Sequence, residues 1–579
     1  MRRSNHLLRE IVIICGLILA IGAPRWFALN RFVTTDESVW LKYSGLFYYA
    51  LTHHDFASTF QVGHPGVTVM WAGLTGYMQA YPAYKDNYSE HNRPIGLANL
   101  EKRDANLPLQ ILVAGRQTMF LLHILILSLS FLFARRLVGT VSALAGFLLI
   151  AFDPFHIALS RILQPDGLLA DLMLLSLLAL LVYVSDHKVK TLMVSAVAAG
   201  LAWLTKSPGL FLIPLIGPLM LFDELRSRSN RSKTEWRKSI FQIAKVTTLW
   251  GMVGILVFYL LWPSMWIDPV GSLVKMLKEA IGYAETGHDS SVFFNGNIYA
   301  NGDIPDIRFY PISFLWRTTP VVLLGLFATA MLFFQGMLVF LGSGKSPNSL
   351  SENQTSESKL LQGTRSQLWN MAVLVFFSVG FGALMSMGLK KFDRYIIPSI
   401  VVMDLVAGVG LVWLVGSVGK LLHGKWRSFL PVGLLLSFMF IQAVLAWTPS
   451  PYFFSYYNPL LGGTQRAVEV MQIGWGEGLD QAARYINSQP NSDQLQVLAW
   501  YGIGPFSYIS KSKVLPLDID HQWTSDNWNQ FSKSDYIVIY IHEWQRNLPS
   551  EVLDRLRNLK PEYSVWINGL EYVRIYKIR

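Results

Sequence analysis

Charge is scarce in this chain. Asp, Glu, Lys and Arg make up 15% of its 579 residues, against about 25% in an ordinary soluble domain. Cysteine is nearly missing: the single Cys15 excludes an intrachain disulfide, a thiolate metal cluster and, because it lies inside the first apolar run, a cysteine nucleophile. The net charge is +11, yet the basic residues form no continuous basic tract. They sit in short loops between apolar runs, so the excess is not a nucleic-acid signature. No fixed-period repeat is present, which excludes a solenoid. What the chain has in excess is hydrophobic residues, 52% of the total, gathered into long runs. Runs near the ~20 residues needed to cross a bilayer core make this a polytopic α-helical membrane protein.

About eleven spans are predicted, near 9–28, 110–134, 138–153, 166–185, 190–206, 208–224, 243–263, 315–341, 369–389, 395–416 and 428–447. The first follows Met1-Arg2-Arg3 without an A-x-A-like cleavage site, so it is expected to stay uncleaved, with the N-terminus cytoplasmic. Alternate loops carry Arg135 and Arg136, Lys188 and Lys190, the Arg226–Lys238 set, Lys345 to Arg365, and Lys420 to Arg427. The positive-inside rule puts these in the cytoplasm. Residues 1–447 then form a transmembrane domain with outer loop one at 29–109, outer loop four at 264–314 and a Ser/Gly/Gln/Asn-rich cytoplasmic linker at 342–368. Loop one contains helical patterns at Val39–Leu51 and Val67–Ala80 expected to lie at the interface, and loop four an amphipathic helix at Val270–Ala284. Residues 448–579 change character and predict a small extracytoplasmic α/β domain. Its expected parts are helices at Gln465–Ser488 and Ser550–Leu559, strands at Gln496–Tyr501 and Tyr536–Ile541, and a hairpin turning at Asn568-Gly569.

The residues that carry chemistry collect on the outer side. Thr34-Thr35-Asp36-Glu37-Ser38 sets two carboxylates just beyond the first span. Neighbours on a helix point apart, so one carboxylate can face a cavity as a proton acceptor while the other hydrogen-bonds structurally or grips substrate. The competing reading is a helix-capping pair. Arg161, Lys206, Arg317, Lys390, Lys391 and Arg394 all lie at outer ends of spans, against the charge bias, and Arg116 lies inside the second span. A charge at membrane depth costs roughly 2.5–3.5 kcal/mol on insertion scales, so it normally has a partner or a task. A set of such cations fits a lipid phosphate; snorkelling, or pairing with Asp153, Asp166 and Asp393, is the alternative. Asp36, Asp153, Asp166 and a histidine match no compact metal-ligand spacing, so no metal is assigned beyond an optional divalent ion. His53, His54 and His64 are expected to be hydrogen-bonding residues at the interface.

In order along the chain, the acidic pair, His64-Pro65-Gly66, Ala134-Arg135-Arg136-Leu137-Val138-Gly139, Leu204-Thr205-Lys206-Ser207-Pro208 and Asp393-Arg394-Tyr395-Ile396-Ile397-Pro398 resemble the GT-C superfamily of membrane glycosyltransferases. Within it they are most similar to glycosyltransferase family 39, which holds protein O-mannosyltransferases and the bacterial aminoarabinose transferase. The tail motifs Tyr456-Tyr457-Asn458-Pro459-Leu460 and Gly474-Trp475-Gly476-Glu477-Gly478 resemble tails of bacterial members. The resemblance implies a GT-C fold in the cell membrane and a sugar donor on a polyprenyl phosphate. Transfer would go with inversion to a hydroxyl on a protein, lipid or glycan acceptor, with membrane lipids as surroundings and no nucleic-acid partner. Asp36 would be the base, and Glu37, His64, Asp166, Lys206, Arg317, Lys390 and Arg394 would bind substrate. Two other classes remain: a transporter or lipid flippase, against which stands the lack of matching halves, and a non-catalytic assembly protein.

Overall fold

Apolar segments that lack water as a hydrogen-bond partner must satisfy their backbone internally, and helices do so within one segment. The computed structural model describes residues 2–86, 106–227, 233–288, 290–300, 302–303, 305–342, 356–424, 426–517 and 523–579. Among these, eight helices are long and apolar enough to cross a membrane: Leu107–Val138, Pro165–Asp186, Ser207–Leu225, Glu235–Leu261, Pro320–Leu338, Ser366–Met387, Asp393–Lys420 and Trp426–Trp447. The chain is therefore a multi-pass, mostly helical membrane protein.

Three of the eleven expected segments differ, each for a local reason. The first helix, Arg2–Trp26, carries Arg9, Glu10 and Arg25 within its apolar stretch. The third is a bent pair, Thr140–Ala151 and Pro154–Ser160, turning by 66° and giving a ninth span if the two are taken together. The bend arises because Asp153 ends one helix and starts the next. Its carboxylate accepts the His156 backbone N–H at 2.5 Å, with Pro154 in the first turn. The fifth, Val189–Thr205, is only 17 residues long.

The outer segments depart further from expectation. Helices Thr35–Thr52 and Val67–Ala80 form where the patterns place them, but they are packed into protein. Val67, Val69 and Met70 are wholly buried, and Gly76 lies against the Ile111 carbonyl. Loop one is partly outside the described residues, at 87–105. So is the expected linker: 343–355 lie outside them, and from Ser356 the chain is already helical through to Met387, so the second half of 342–368 is not linker. The amphipathic helix of loop four runs from Pro269 to Glu285.

The tail carries a five-stranded sheet of β3 (Gln496–Ala499), β4 (Lys513–Pro516), β5 (Tyr536–Tyr540), β6 (Tyr563–Ile567) and β7 (Leu570–Lys577), after a short hairpin of β1 (Val292–Phe294) and β2 (Asn297–Tyr299) in loop four. The order is β4-β3-β5-β7-β6. β3 pairs in parallel with β4 and β5, and β7 runs antiparallel to β5 and β6. β4 has no counterpart in the sequence reading. The expected helix 465–488 is split into Gly463–Ala467 and Leu479–Asn487, because Gly474, Gly476 and Gly478 take φ of +87°, +121° and +86°, a region glycine enters without a Cβ clash. One face of the sheet shares a continuous hydrophobic core with the membrane helices; the other buries a cluster of its own around Ile537, Ile539 and Leu553.

Helices in lipid approach closely where side chains are small. Gly408 on Ile397–Lys420 sits against the backbone nitrogen of Gly146 on Thr140–Ala151. Gly408→Leu is expected to destabilise the protein by about 1–3 kcal/mol through overpacking. Gly433→Ala, where nothing lies within 4 Å of an added Cβ, should leave the thermal unfolding midpoint in detergent unchanged or slightly raised.

A candidate active site between the helices and the tail

Glu37 is the anchor of the site. It is fully buried, and its Oε2 accepts the Thr34 backbone N–H at 3.0 Å, closing a capping box on Thr35–Thr52. Arg116 donates Nε to Oε1 at 2.6 Å and Nη2 to Oε2 at 2.5 Å, while the Leu163 backbone N–H reaches Oε1 at 2.8 Å. Arg116 spends its remaining donors on the Leu29 and Phe32 carbonyls. Glu37 is thus committed to structure and does not line the cavity, a correction to its expected place among the substrate-binding residues.

Asp36, about 100° further round the helix, faces the other way. Its side chain is 39% exposed, and its Oδ2 lies 3.2 Å from Arg394 Nη2. Arg394 Nε lies 3.3 Å from Asp166 Oδ2, and Lys206 Nζ donates to Asp166 Oδ1 at 2.5 Å. Opposite charges therefore alternate in the order Asp36, Arg394, Asp166, Lys206. Aromatic faces hold the cations: Arg394 lies 4.1 Å from the Phe392 ring and 4.2 Å from Trp475, and Lys206 lies 4.2 Å from Tyr395. Arg317 donates Nε to Asp393 Oδ2 at 2.7 Å and Nη1 to the Phe454 carbonyl at 2.7 Å. Burial alone would lower the Arg317 pKa, but Tyr457 and then Asp393 more than offset it, and it is held above its usual value. Lys390 Nζ stands 4.2 Å over Tyr283.

These groups surround a cavity of about 370 Å³. Of the outer-side charged residues singled out from the sequence, Asp36, Arg317, Lys390, Lys391, Asp393 and Arg394 line it. Asp166 and Lys206 stand behind Arg394, and His64 lies between Trp40 and Tyr283, with ring centroids 5.8 Å and 5.3 Å away. Burial, then Lys206 and Lys390, pushes the His64 pKa down to about 3, so its ring is neutral at physiological pH.

Among the described residues, Asp36, Asp153, Asp166 and a histidine, the set weighed from the sequence, do not come within ligating reach of one another. Asp166 is occupied by Lys206 and Arg394, and Asp153 by its helix cap. Among the described residues the one group within ligating reach is His123, His156 and Asp171, all buried. They are already hydrogen-bonded, at 2.6 Å and 2.8 Å, and Arg25 Nη2 stands 2.9 Å from His156 Nδ1. The Arg25 guanidinium completes this buried polar network.

Sequence reasoning missed the far wall. Gln472, Trp475, Glu477, Trp500, His542 and Arg546 of the tail line the same cavity. The signal available was the glycine-spaced Gly474-Trp475-Gly476-Glu477-Gly478, whose turn carries Trp475 to Arg394. Burial raises the Glu477 carboxyl, which accepts hydrogen bonds from Trp475 N at 2.5 Å and Tyr540 Oη at 3.0 Å.

Two outcomes test this assembly. Glu37→Gln leaves Arg116 buried without its anion, and unfolding titrations should show a loss of about 3–5 kcal/mol. His64 has a folded pKa of about 3 against 6.5 for the free side chain, so the unfolded chain takes up the proton first. Stability is then lost as pH falls from about 6.5 towards 3. His64→Gln should flatten that part of the stability profile, measured as the unfolding midpoint at pH 7, 5 and 4.

Residues 111–251 match the family described as dolichyl-phosphate-mannose-protein mannosyltransferase. That segment holds Arg116, Asp166 and Lys206 but none of the cavity-lining Asp36, Arg317, Lys390 or Arg394. No curated protein is similar enough to match the chain. Among solved structures, ArnT from Cupriavidus metallidurans bound to undecaprenyl phosphate aligns at 13% identity, covering 98% of this chain and 97% of that one with a TM-score of 0.44. The S. cerevisiae protein O-mannosyltransferase Pmt1–Pmt2 complex bound to the sugar donor aligns at 12% identity over 77% and 90% with a TM-score of 0.49. The Archaeoglobus fulgidus oligosaccharyltransferase complex with Zn and sulfate aligns at 13% over 92% and 68% with a TM-score of 0.43. With its apolar helices and the match over 111–251, the chain resembles the GT-C membrane glycosyltransferases of the family 39 type.

Proposed function

We propose that this protein transfers a sugar from a polyprenyl-phosphate donor to an acceptor hydroxyl at the extracytoplasmic face of the cell membrane, with inversion at the anomeric carbon. The observation that carries the reading is the placing of one accessible carboxylate, Asp36, 3.2 Å from an arginine on the wall of a cavity that Arg317 and Lys390 also line. The similarity of residues 111–251 to a mannosyltransferase family supports the reaction class.

In this mechanism the acceptor O–H gives its proton to Asp36 while the oxygen lone pair forms the new bond to the anomeric carbon. The bond from that carbon to the phosphate oxygen breaks on the opposite side, and its electrons leave with the phosphate. An anionic leaving group of this kind needs fixed positive charge more than it needs a proton. Arg394, Arg317 and Lys390 supply the charge, with Asp166 and Lys206 positioning Arg394. At rest Arg394 is shared between Asp36 and Asp166; a donor phosphate competes for the guanidinium and frees Asp36 to accept a proton. The N-terminus is assigned to the cytoplasm and residues 448–579 to the outside.

Asp36→Asn keeps the shape of the site and removes the proton acceptor. Transfer from a radiolabelled polyprenyl-phosphate sugar in lipid should drop by about 10²–10⁴-fold, while donor binding persists. Undiminished transfer in the variant would remove Asp36 from the role of base. Donor that is bound and carried across the bilayer by wild type without release of its sugar would mark a flippase instead.

A further inference from the structure

The mechanism leaves the tail's side of the cavity without a task, and that side holds an arginine unlike the others. Three arginines line the cavity. Arg317 is paired with Asp393, and Arg394 with Asp36 and Asp166. Arg546 makes no ion pair among the described residues. Its Nε donates to the His542 carbonyl at 3.3 Å, and its Nη1 to Ser290 Oγ and the Ser291 carbonyl at 3.1 Å each. Its Nη2 has no partner among the described residues, although the side chain is only 4% exposed. Glu543, three residues earlier, does not compensate it. One Glu543 oxygen accepts the Tyr540 backbone N–H at 2.6 Å and neither forms an ion pair with Arg546, and burial pushes the carboxyl well above its usual range. A buried guanidinium with an unpartnered donor and no ion pair among the described residues is costly to maintain, and that cost is reduced when an anion arrives.

The surroundings favour a sugar as the bearer of that anion. Trp500 and Tyr501 stack with centroids 5.0 Å apart at 30°. Tyr501 Oη lies 2.7 Å from His542 Nδ1, and the Arg546 guanidinium lies 5.8 Å from the Trp500 ring. An aromatic pair edged by a few polar groups is the lining expected of a small-molecule subsite, and the C–H face of a pyranose fits such a platform. Trp500 and Tyr501 line the same cavity as the proposed base Asp36 and the Arg546 guanidinium.

We propose that the tail builds the acceptor subsite, in which Trp500 and Tyr501 take the acceptor sugar and Arg546 pairs with an anionic substituent, a carboxylate or a phosphate, on that sugar. The assignment to the acceptor rests on the reading of Asp36 and the Arg394 side as the reacting end. It places Arg546 as a specificity-determining residue, with the forked guanidinium presented to an oxyanion.

The test is hydrogen–deuterium exchange on the full chain in lipid nanodiscs, following peptides that contain Trp500–Phe506 and Ile541–Arg546. The probes are glucuronic acid, glucose 6-phosphate and glucose. At least one acid should protect both peptides at concentrations where glucose does not. Arg546→Gln should weaken that protection by at least about tenfold, the scale of one charge-assisted hydrogen bond, and Arg546→Lys should restore part of it. Unchanged exchange in Tyr536–Tyr540 shows that each variant is folded. Protection by glucuronic acid alone names the carboxylate, and by glucose 6-phosphate alone the phosphate. The proposal falls if neither acid protects, if glucose protects equally well, or if Arg546→Gln binds the acids as wild type does. Donor hydrolysis by the same wild-type preparation separates the two readings. Hydrolysis without anion protection sinks the acceptor subsite alone, whereas anion protection without hydrolysis or transfer sinks the glycosyltransferase reading and with it the assignment to an acceptor.

Discussion

The site depends on a buried ion pair that does not line its cavity. Arg116 in Leu107–Val138 and Glu37 at the start of Thr35–Thr52 meet at 2.5 Å with almost no exposure. Neither is left with only the other for company. Glu37 also caps its own helix and accepts the Leu163 N–H, and Arg116 also binds two carbonyls of the segment leading into that helix. A buried pair repays its desolvation only when the remaining donors and acceptors are satisfied, and here they are. Because adjacent helical residues diverge, fixing Glu37 inward fixes Asp36 outward. One carboxylate is given up to orientation so that its neighbour has a defined direction.

The cations follow a related rule. Arg394 has two carboxylates within 3.3 Å, Asp166 has two cations, and Arg317 has Asp393 together with two carbonyls and the Tyr457 hydroxyl. Charge is shared, so no single partner neutralises Arg394 completely. In the proposed reaction the incoming phosphodiester monoanion competes with carboxylates already divided between partners, which is an easier exchange than breaking an isolated, well-matched pair. The aromatic faces of Phe392, Tyr395 and Trp475 keep the cationic groups in place while those partners change.

Much of this was legible in the sequence because its causes are local. Apolar run length marked the helices, and the misplaced basic residues marked the cavity's cationic side, with Arg317, Lys390 and Arg394 all lining it. The sequence left open which member of Asp36-Glu37 would face the cavity, since that depends on Arg116, which lies 79 positions from Glu37. The break at Asp153 looked like an end of a span because the apolar run stops there; that the chain turns by 66° into a second short helix depends on the carboxylate capping His156. The packing of Val67–Ala80 into protein was not legible for the same kind of reason: an amphipathic pattern says that one face is apolar, not whether lipid or protein meets it.

The least legible part was the far wall. A helix-like pattern over 465–488 concealed the glycine-spaced turn that splits it, and the α/β character of the tail suggested a domain standing apart. The physical continuity runs the other way. Phe453, Phe454 and Tyr457 are buried in the same core as the membrane helices, and Arg317 binds the Phe454 and Tyr456 carbonyls. The chain leaving the last span is thus fastened beneath the sheet before the sheet begins. The turn at Gly474–Gly478 can then present Trp475 to Arg394, and the strand–helix junction after β5 can present His542 and Arg546. A boundary near residue 447 divides the chain by solvent and composition. It does not divide the site, because one wall of the cavity comes from the outer loops and outer ends of the membrane helices and the other from the tail, and a shared core, with the carbonyls bound by Arg317, joins the two.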